Sequence, residues 1–367
     1  MTTRIASAAA IAAGIALAAT SVGARELTYG NYTSPTHTTY VNGALPAMER
    51  ITEQTNGEIT FETFTGGAMG GPKELLGNAS NNILDIVSVV DIYVKAALPV
   101  SAMLSGMIVV GEDPKVMAAA MNEMQLLRCP ECKEERDRNN VVGLSWSATA
   151  SYHVICKDPI SGLADLQGTK IRATSSVGRG MQDIGAAPVS ITTAEMYEAM
   201  QRGQIDCAAG STAWLKTYNL KDFAKMAWSN SLGSYFGTMN FTMNKDVWEE
   251  DLTDEQRQVF HDNMAEAVAD VMWAYVADGE EGMQWLRDNG GTVVEADDAF
   301  KEAWAKVQAG TVAETIEAGK EGGIENAEEI VNTFMGLVDK WTKIVEEVGD
   351  DKDAYRQKLQ EEIFSKI

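Results

Sequence analysis

Histidine is scarce in this chain: His37, His153 and His261 are the only three in 367 residues. That scarcity, with the absence of certain patterns, narrows the chemistry. No HExxH zinc motif and no P-loop occurs. No GxSxG elbow occurs either, since "GLSWS" lacks the second glycine. A Ser-His-Asp hydrolase stays arithmetically open with three histidines. No residue set can be named for it, and His261 sits in an acidic stretch that reads as a solvated helix. The chain is therefore read as a non-enzyme, with a secreted hydrolase as the alternative.

Cations are in the minority. Lys and Arg number 30 against 53 Asp and Glu, a formal net charge of -23. Such a surface repels nucleic acid and anionic membranes. An anionic ligand is held only where local cations or helix N-termini overcome that field, so each arginine is informative. Beyond the first residues no apolar run reaches membrane length. The opening "MTTRIASAAAIAAGIALAATSVGA" has one cation, Arg4, a short alanine-rich core and Val22-Gly23-Ala24, the pattern of a secretory signal. Cleavage is expected after Ala24, which takes the charge from -23 to -24. No cysteine stands at the cleavage point, so a lipid anchor is not expected. The mature chain is expected to be periplasmic.

Cysteine is also sparse, at Cys129, Cys132, Cys156 and Cys207. In an oxidising compartment an even count favours disulfides, and four cysteines allow three connectivities. A zinc set of His153 with three cysteines ranks below that, and a redox "CPEC" lower still. The pairing stays open.

What is present is an alternation of strand and helix patterns. Leu27–Asn31 reads as a strand. A turn at Ser34-Pro35 leads into a helix that Gly57 ends. "EITFETF" alternates as a strand, "GGAMGGPKELLGNAS" turns into a helix, and "ILDIVSVV" is a buried parallel strand. A helix over Lys115–Leu127 precedes the cysteine loop, and "VVGLSWSATASYHVIC" holds one or two strands. A second set follows: "TKIRATS", "APVSI" and "IDCAAGS" as strands, with helices "SVGRGMQDIGA" and "TTAEMYEAMQRGQ" between them. Thr253 and Gln256 fit a capping box. "GGTVVEAD" is a late strand. A final helix carries Ile330, Phe334, Leu337, Val338, Trp341, Ile344 and Val345 on one face, read as core packing.

These elements predict an α/β chain of two lobes with mixed sheets, a ligand cleft between the lobes at strand ends, and a helical C-terminal region. The expected division is a signal over 1–24 and lobe 1 over 25–149 with about 236–290. Lobe 2 takes 150–235 with about 291–320, and 321–367 form a helical extension.

The order of four stretches carries more. "SPTH" follows the first strand, then "TNGEITFETFTGGAMGGPKELL", then "LADLQGTKIRATSS", then "GAAPVSITTAEMYEAMQRGQIDCAAGS". In this order and spacing, behind a signal, the chain resembles the DctP-like solute-binding proteins of TRAP (tripartite ATP-independent periplasmic) transporters. The resemblance covers most of the mature chain. It implies a two-lobed receptor without cofactor or bound metal. Such a receptor is a monomer that closes on an organic acid and delivers it to the small and large membrane subunits of an ion-driven permease. A sensor or ATP-driven importer would share the cleft but dock elsewhere.

In that family the arginine of the "GxKxR" strand binds the ligand carboxylate, and the matching position is Arg172. A guanidinium suits this role because its fork matches a carboxylate and keeps its charge when desolvated. The chain departs from the family's acidic-sugar pattern. Tyr152 stands where a second arginine is often found, Ala209-Gly210-Ser211 replaces Glu-Asn-Pro, and Val90 replaces an acidic residue. Lost charge disfavours sialic acid and dicarboxylates, so the expected ligand is a monocarboxylate with an apolar or aromatic body. Arg172, Tyr152, Trp214, Ser211 and Gly210 are the first expected site residues. The other candidate lining residues are Tyr32, His37, Asp91, Tyr93, Trp146, Ser175, Phe236 and Asn240. For Trp146, Phe236 and Tyr93, core filling competes with that role.

Overall fold

A computed structural model of the chain describes residues 24–111 and 113–367. The expected signal falls, Ala24 excepted, outside that part. In chain order the strands are β1 (Arg25–Gly30), β2 (Ile59–Phe64), β3 (Ile86–Val90), β4 (Val141–Ser147), β5 (Tyr152–Cys156), β6 (Lys170–Arg172), β7 (Ala187–Val189), β8 (Cys207–Ser211), β9 (Met226–Trp228), β10 (Thr238–Asn244) and β11 (Thr292–Val294). They form two sheets, ordered β2-β1-β3-β10-β4 and β11-β9-β5-β8-β6-β7.

Both sheets are mixed, for the same reason: a strand returns from the opposite direction. β3 is buried along its whole length, as its unbroken apolar run predicts. It runs parallel to β1 on one side and antiparallel to β10 on the other. β10 is equally buried although every second residue is polar. Its two asparagines are tolerable there because they find partners, whereas the Thr242 hydroxyl has none among the described residues. Asn240 Oδ1 accepts from Ser147 Oγ at 3.1 Å, and Asn244 Nδ2 donates to the Ala79 carbonyl at 2.8 Å. In the second sheet β6 is parallel to β7 and β8, while β5 is antiparallel to β8 and β9.

Helix boundaries follow local chemistry. The helix Leu45–Gln54 is preceded by a π-helical turn, Tyr40–Ala44, and the chain leaves it through Gly57 at φ +79°. Thr253 and Gln256 form the capping box of the long helix Asp254–Asp288. A second box joins Thr192 and Glu195, with Thr193 the first helical residue.

Each sheet has its own core. The first gathers Leu27, Ile86, Val89, Trp146, Met239 and Phe241. The last long helix, Ala327–Val348, docks here. Ile330, Phe334, Leu337, Trp341 and Val345 are buried, and Phe334 stacks on Phe236 at 5.4 Å. The Trp341 indole N–H donates to Glu123 at 2.8 Å, and Lys340 pairs with the same carboxylate. The second core holds Ile171, Met181, Met226, Trp228, Phe300 and Trp304. The helix Asp298–Glu321 begins in that core and ends with Val312 and Ile316 packed on the first.

The chain passes between the sheets at 148–151, at 229–237 and through the long helix. The first two crossings are tied together: Thr149 N–H donates to the Tyr235 carbonyl and Tyr152 N–H to the Gly233 carbonyl, both at 2.7 Å. All four cysteines are consumed by disulfides, Cys129–Cys132 and Cys156–Cys207. The zinc alternative is overturned, because no thiolate remains for it. His153 Nδ1 instead faces the Asn230 carbonyl at 3.1 Å. Among the described residues no helix is long and apolar enough to cross a membrane.

Candidate functional site

The ends of β1, β3 and β8 converge with the two crossings and the long helix on one narrow cavity. Its free volume is about 30 Å³, and its walls are aromatic. Tyr32 and His37 come from the loop after β1, and Tyr93 from the turn after β3. Tyr152 opens β5, Trp214 and Tyr218 follow β8, Tyr235 lies on a crossing and Tyr275 on the long helix. Six of the ten tyrosines of the chain meet here. Free space of this size takes about two waters, so a ring-bearing ligand enters only as the lobes part.

The aromatic groups hold one another by edges. Tyr152 meets Trp214 at 5.1 Å, Trp214 meets Tyr218 at 5.8 Å, and His37 meets Tyr218 at 5.4 Å, all T-shaped. The Trp214 indole donates to Tyr275 Oη at 2.9 Å. Gly210 makes room for that indole: a Cβ there would lie 1.9 Å from the Trp214 ring. Burial drives the phenols of Tyr152 and Tyr218 well above their ordinary pKa, so both stay protonated.

Beside the cavity lies Arg172, the last residue of β6, only 1 % exposed. Its Nε donates to the Ile191 carbonyl at 3.2 Å, Nη1 to the Ala209 carbonyl at 3.3 Å, and Nη2 to Tyr93 Oη at 3.0 Å. The guanidinium also lies 5.5 Å from the centre of the Trp214 ring. These partners are neutral. Among the described residues no carboxylate lies within 4.0 Å of it. Glu195 feels its charge, but that carboxylate is engaged by the Thr192 amide and hydroxyl at 2.8 and 2.7 Å. A buried charge is ordinarily paired. Tyr152 Oη also lies against this desolvated cation, and among the described residues no charged group accepts from its five N–H groups.

Two neutral donors face the same space. Tyr93 Oη accepts from Arg172 and from the Thr193 amide at 3.0 Å, which leaves its own proton to donate. The Thr39 amide donates to His37 Nδ1 at 3.3 Å, placing the ring proton on Nε2. That Nε2 is buried and finds no partner. Burial lowers the His37 pKa to about 4, so the ring is neutral near pH 7. No Asp, Glu, Lys or Arg is among the residues lining the cavity itself. One buried positive charge, two neutral donors and an aromatic wall together can hold a small carboxylate with a flat body.

The expected site residues divide into groups. Tyr32, His37, Tyr93, Tyr152 and Trp214 line the cavity, with Arg172 and Gly210 directly behind it. Asp91 stands one layer back. Its carboxyl is fully buried and accepts from Ser105 Oγ at 2.5 Å and Tyr235 Oη at 2.8 Å, and burial raises its pKa to about 8. Ser211 is buried and accepts from the Ala213 amide. Trp146 lies in the first core with Arg136 over its ring, Phe236 stacks on Phe334, and Asn240 bonds Ser147. Ser175 lines a separate groove. Sequence reasoning did not single out Tyr218, Tyr235 and Tyr275. Tyr235 is a parity error: successive residues of an extended segment face opposite ways, so choosing Phe236 selected the wrong side. Tyr275, in mid-helix, carries no local signal.

Two α/β lobes closed on a buried cation and an aromatic cavity define a binding protein of the periplasmic type. The chain belongs to the family of bacterial extracellular solute-binding proteins, family 7 (DctP), whose family model matches residues 29–318. Solved structures of similar fold include a TRAP solute-binding protein from Rhodoferax ferrireducens T118 in complex with copurified benzoate. It is 18% identical, with TM-score 0.77, over 88% of this chain and 99% of that one. Another, from a marine metagenome, is described as specific for aromatic acid ligands and holds 3-hydroxybenzoate. It is 21% identical, with TM-score 0.76, over 87% and 99% of the two chains. A third, from Bordetella bronchiseptica with bound (R)- and (S)-mandelate, is 20% identical with TM-score 0.72 over 86% and 99%. A solute-binding protein of Albidiferax ferrireducens is 22% identical over 74% of this chain and 80% of its own length. The protein YiiZ of Salmonella typhimurium is 25% identical over 44% of this chain, and the match spans about half (49%) of YiiZ.

Proposed function

We propose that this chain is the periplasmic receptor of a TRAP-type transporter for an organic monocarboxylate with an aromatic body. The observation that carries the reading is Arg172, a buried cation whose hydrogen-bond partners are all neutral and which has no ion-pair partner among the described residues. A carboxylate accepts two of its N–H groups in a fork, while Tyr93 Oη and His37 Nε2 donate to a remaining lone pair or to a ring hydroxyl. The cavity wall supplies stacking area. With Arg172 behind the wall and no Asp, Glu, Lys or Arg among the lining residues, the site favours one negative charge over two. The benzoate, hydroxybenzoate and mandelate named for the similar structures agree with this class.

In this reading 1–24 is a signal removed after Ala24. The lobes part about the paired crossings at Thr149–Tyr235 and Tyr152–Gly233. The closed form delivers its acid to small and large permease subunits as a monomer and without ATP. This reading assigns no catalysis: the Thr39 hydroxyl that contacts His37 is buried, and His153 faces the Asn230 carbonyl. A thermal-shift screen over benzoates, hydroxybenzoates, mandelates, aliphatic keto acids, dicarboxylates and hexuronates tests the ligand class. Aromatic monocarboxylates should stabilise the protein most. Stabilisation by hexuronates or dicarboxylates alone would overturn it.

A further inference from the structure

A second opening between the lobes, about 720 Å³, adjoins the aromatic cavity, and Ile92 and Tyr93 line both. Three cations stand on it: Lys73 and Lys95 from the first lobe and Arg179 from the second. None of the three has a carboxylate within 4.0 Å among the described residues, whereas most lysines and arginines of this chain are paired, as Lys133, Lys301 and Lys352 are. Glu195 lies within the field of Lys73, but Thr192 already engages its carboxylate. On a molecule of net charge -23, three unpaired cations around one groove make a local reversal of sign.

The groove also offers hydrogen-bond donors. The nine-residue helix Ser175–Asp183 starts there, and its cap residue Thr174 makes no side-chain capping bond. Among the described residues nothing accepts from the N–H of Ser175 or Val177, while Ser176 N–H is taken by the Gly106 carbonyl. Thr174 and Thr315 line the groove, are 7 % and 4 % exposed, and carry hydroxyls that are buried just beneath its surface and have no partner among the described residues. Unsatisfied donors at a helix start favour an anion. The three unpaired cations make the same demand independently, and the two buried hydroxyls can each turn a proton toward an anion that reaches them.

We infer that this groove is a second carboxylate site, a weak antechamber that gathers organic anions at the mouth of the interlobe cavity. The inference shares the ligand class proposed above but uses none of the Arg172 contacts. Its cations are exposed, so the interaction is screened by salt, and the expected affinity is millimolar. Passage from groove to cavity runs past Tyr93, which both share.

The test is a titration of the 15N-labelled mature chain with benzoate, followed by amide shifts, in wild type and three variants. Thr174–Val177 and Lys95 amides should move with millimolar affinity in wild type and equally in Arg172→Met. They should stop moving in Lys73→Gln/Lys95→Gln/Arg179→Gln, whose sites are exposed and spare the core. Thr174→Val should weaken the response severalfold. Raising salt from about 0.01 to about 1 M, which shortens the Debye length from roughly 30 to 3 Å, should abolish it. Still groove amides in wild type would overturn the antechamber, as would a full response in the triple variant. Failure of the Arg172 reading shows separately, as unchanged high-affinity shifts around Tyr152 and Trp214 in Arg172→Met.

Discussion

Replacing Arg172 by methionine keeps an unbranched apolar stem, two atoms shorter, and removes the charge and all five N–H donors. Three of its N–H groups serve Ile191, Ala209 and Tyr93, and a ligand carboxylate takes the other two in exchange for the neighbouring Tyr152 hydroxyl. Hydrogen bonds to charged groups contribute about 1.5–3 kcal/mol each. Two of them amount to roughly 3–6 kcal/mol, or about 10²–10⁴ in Kd. At ligand near 1,000 times Kd the wild type gains about 4.1 kcal/mol. In a chain of this size each kcal/mol moves Tm by about 2 °C, so the expected shift is about 8 °C. In Arg172→Met a thousandfold loss would leave about 1 °C. The unliganded Tm should change by only a few degrees, because loss of the three bonds is offset by removing a desolvated charge. Arg172→Lys keeps the charge but not the fork, and should fall between the two. Calorimetry with a ligand from the screen supplies Kd. An unliganded fold like wild type with unchanged Kd in Arg172→Met would refute the argument that this guanidinium anchors the acid.

Asp91 links stability to pH. Burial holds its native pKa at about 8 against 3.8 for the ordinary group, so between those values the native state keeps a proton the unfolded chain has lost. Its contribution therefore falls as pH rises from about 4 to about 8. His37 and His153, lowered to about 4, act in the opposite sense below about 6.5, so wild type must be compared with Asp91→Asn. The variant should gain relative stability as pH rises, and parallel urea midpoints across the range would contradict this. Gly210→Ala drives a methyl into the Trp214 ring. It should cost about 1–3 kcal/mol of stability and weaken acid binding at least tenfold; wild-type Kd and Tm would count against the packing argument. The Cys156–Cys207 bridge closes a separation of 51 residues and Cys129–Cys132 one of 3. On loop entropy alone, paired serine substitutions should cost about 4 and about 2 kcal/mol. Equal losses in denaturant unfolding would show that strain or packing, not loop length, sets their worth.

Local chemistry is where the primary structure speaks most directly. The Thr253–Gln256 capping box, the turn at Gly57, the buried run of β3 and the apolar stripe Ile330–Val345 each depend on residues a few positions apart. Their outcome needs no knowledge of the rest of the chain. Arg172 was legible for another reason: its strand sits in a stretch whose order with three others marks the family. Cysteine pairing was not legible, because pairing depends on which strands become neighbours; β5 and β8 bring Cys156 opposite Cys207.

The cavity lies at the far end of that scale. Tyr32, Tyr93, Tyr152, Tyr218, Tyr235 and Tyr275 span more than two hundred positions and meet only because two sheets and a long helix converge. Nor does the primary structure say that Arg172 has no carboxylate beside it among the described residues, since ion pairing is settled by neighbours in space. From its residues alone this chain determined an acidic α/β receptor of a recognisable family, with one arginine to watch. Only the tertiary structure decided that this arginine is desolvated, unpaired and walled by tyrosines, because desolvation and convergence are properties of packing between segments distant in the chain.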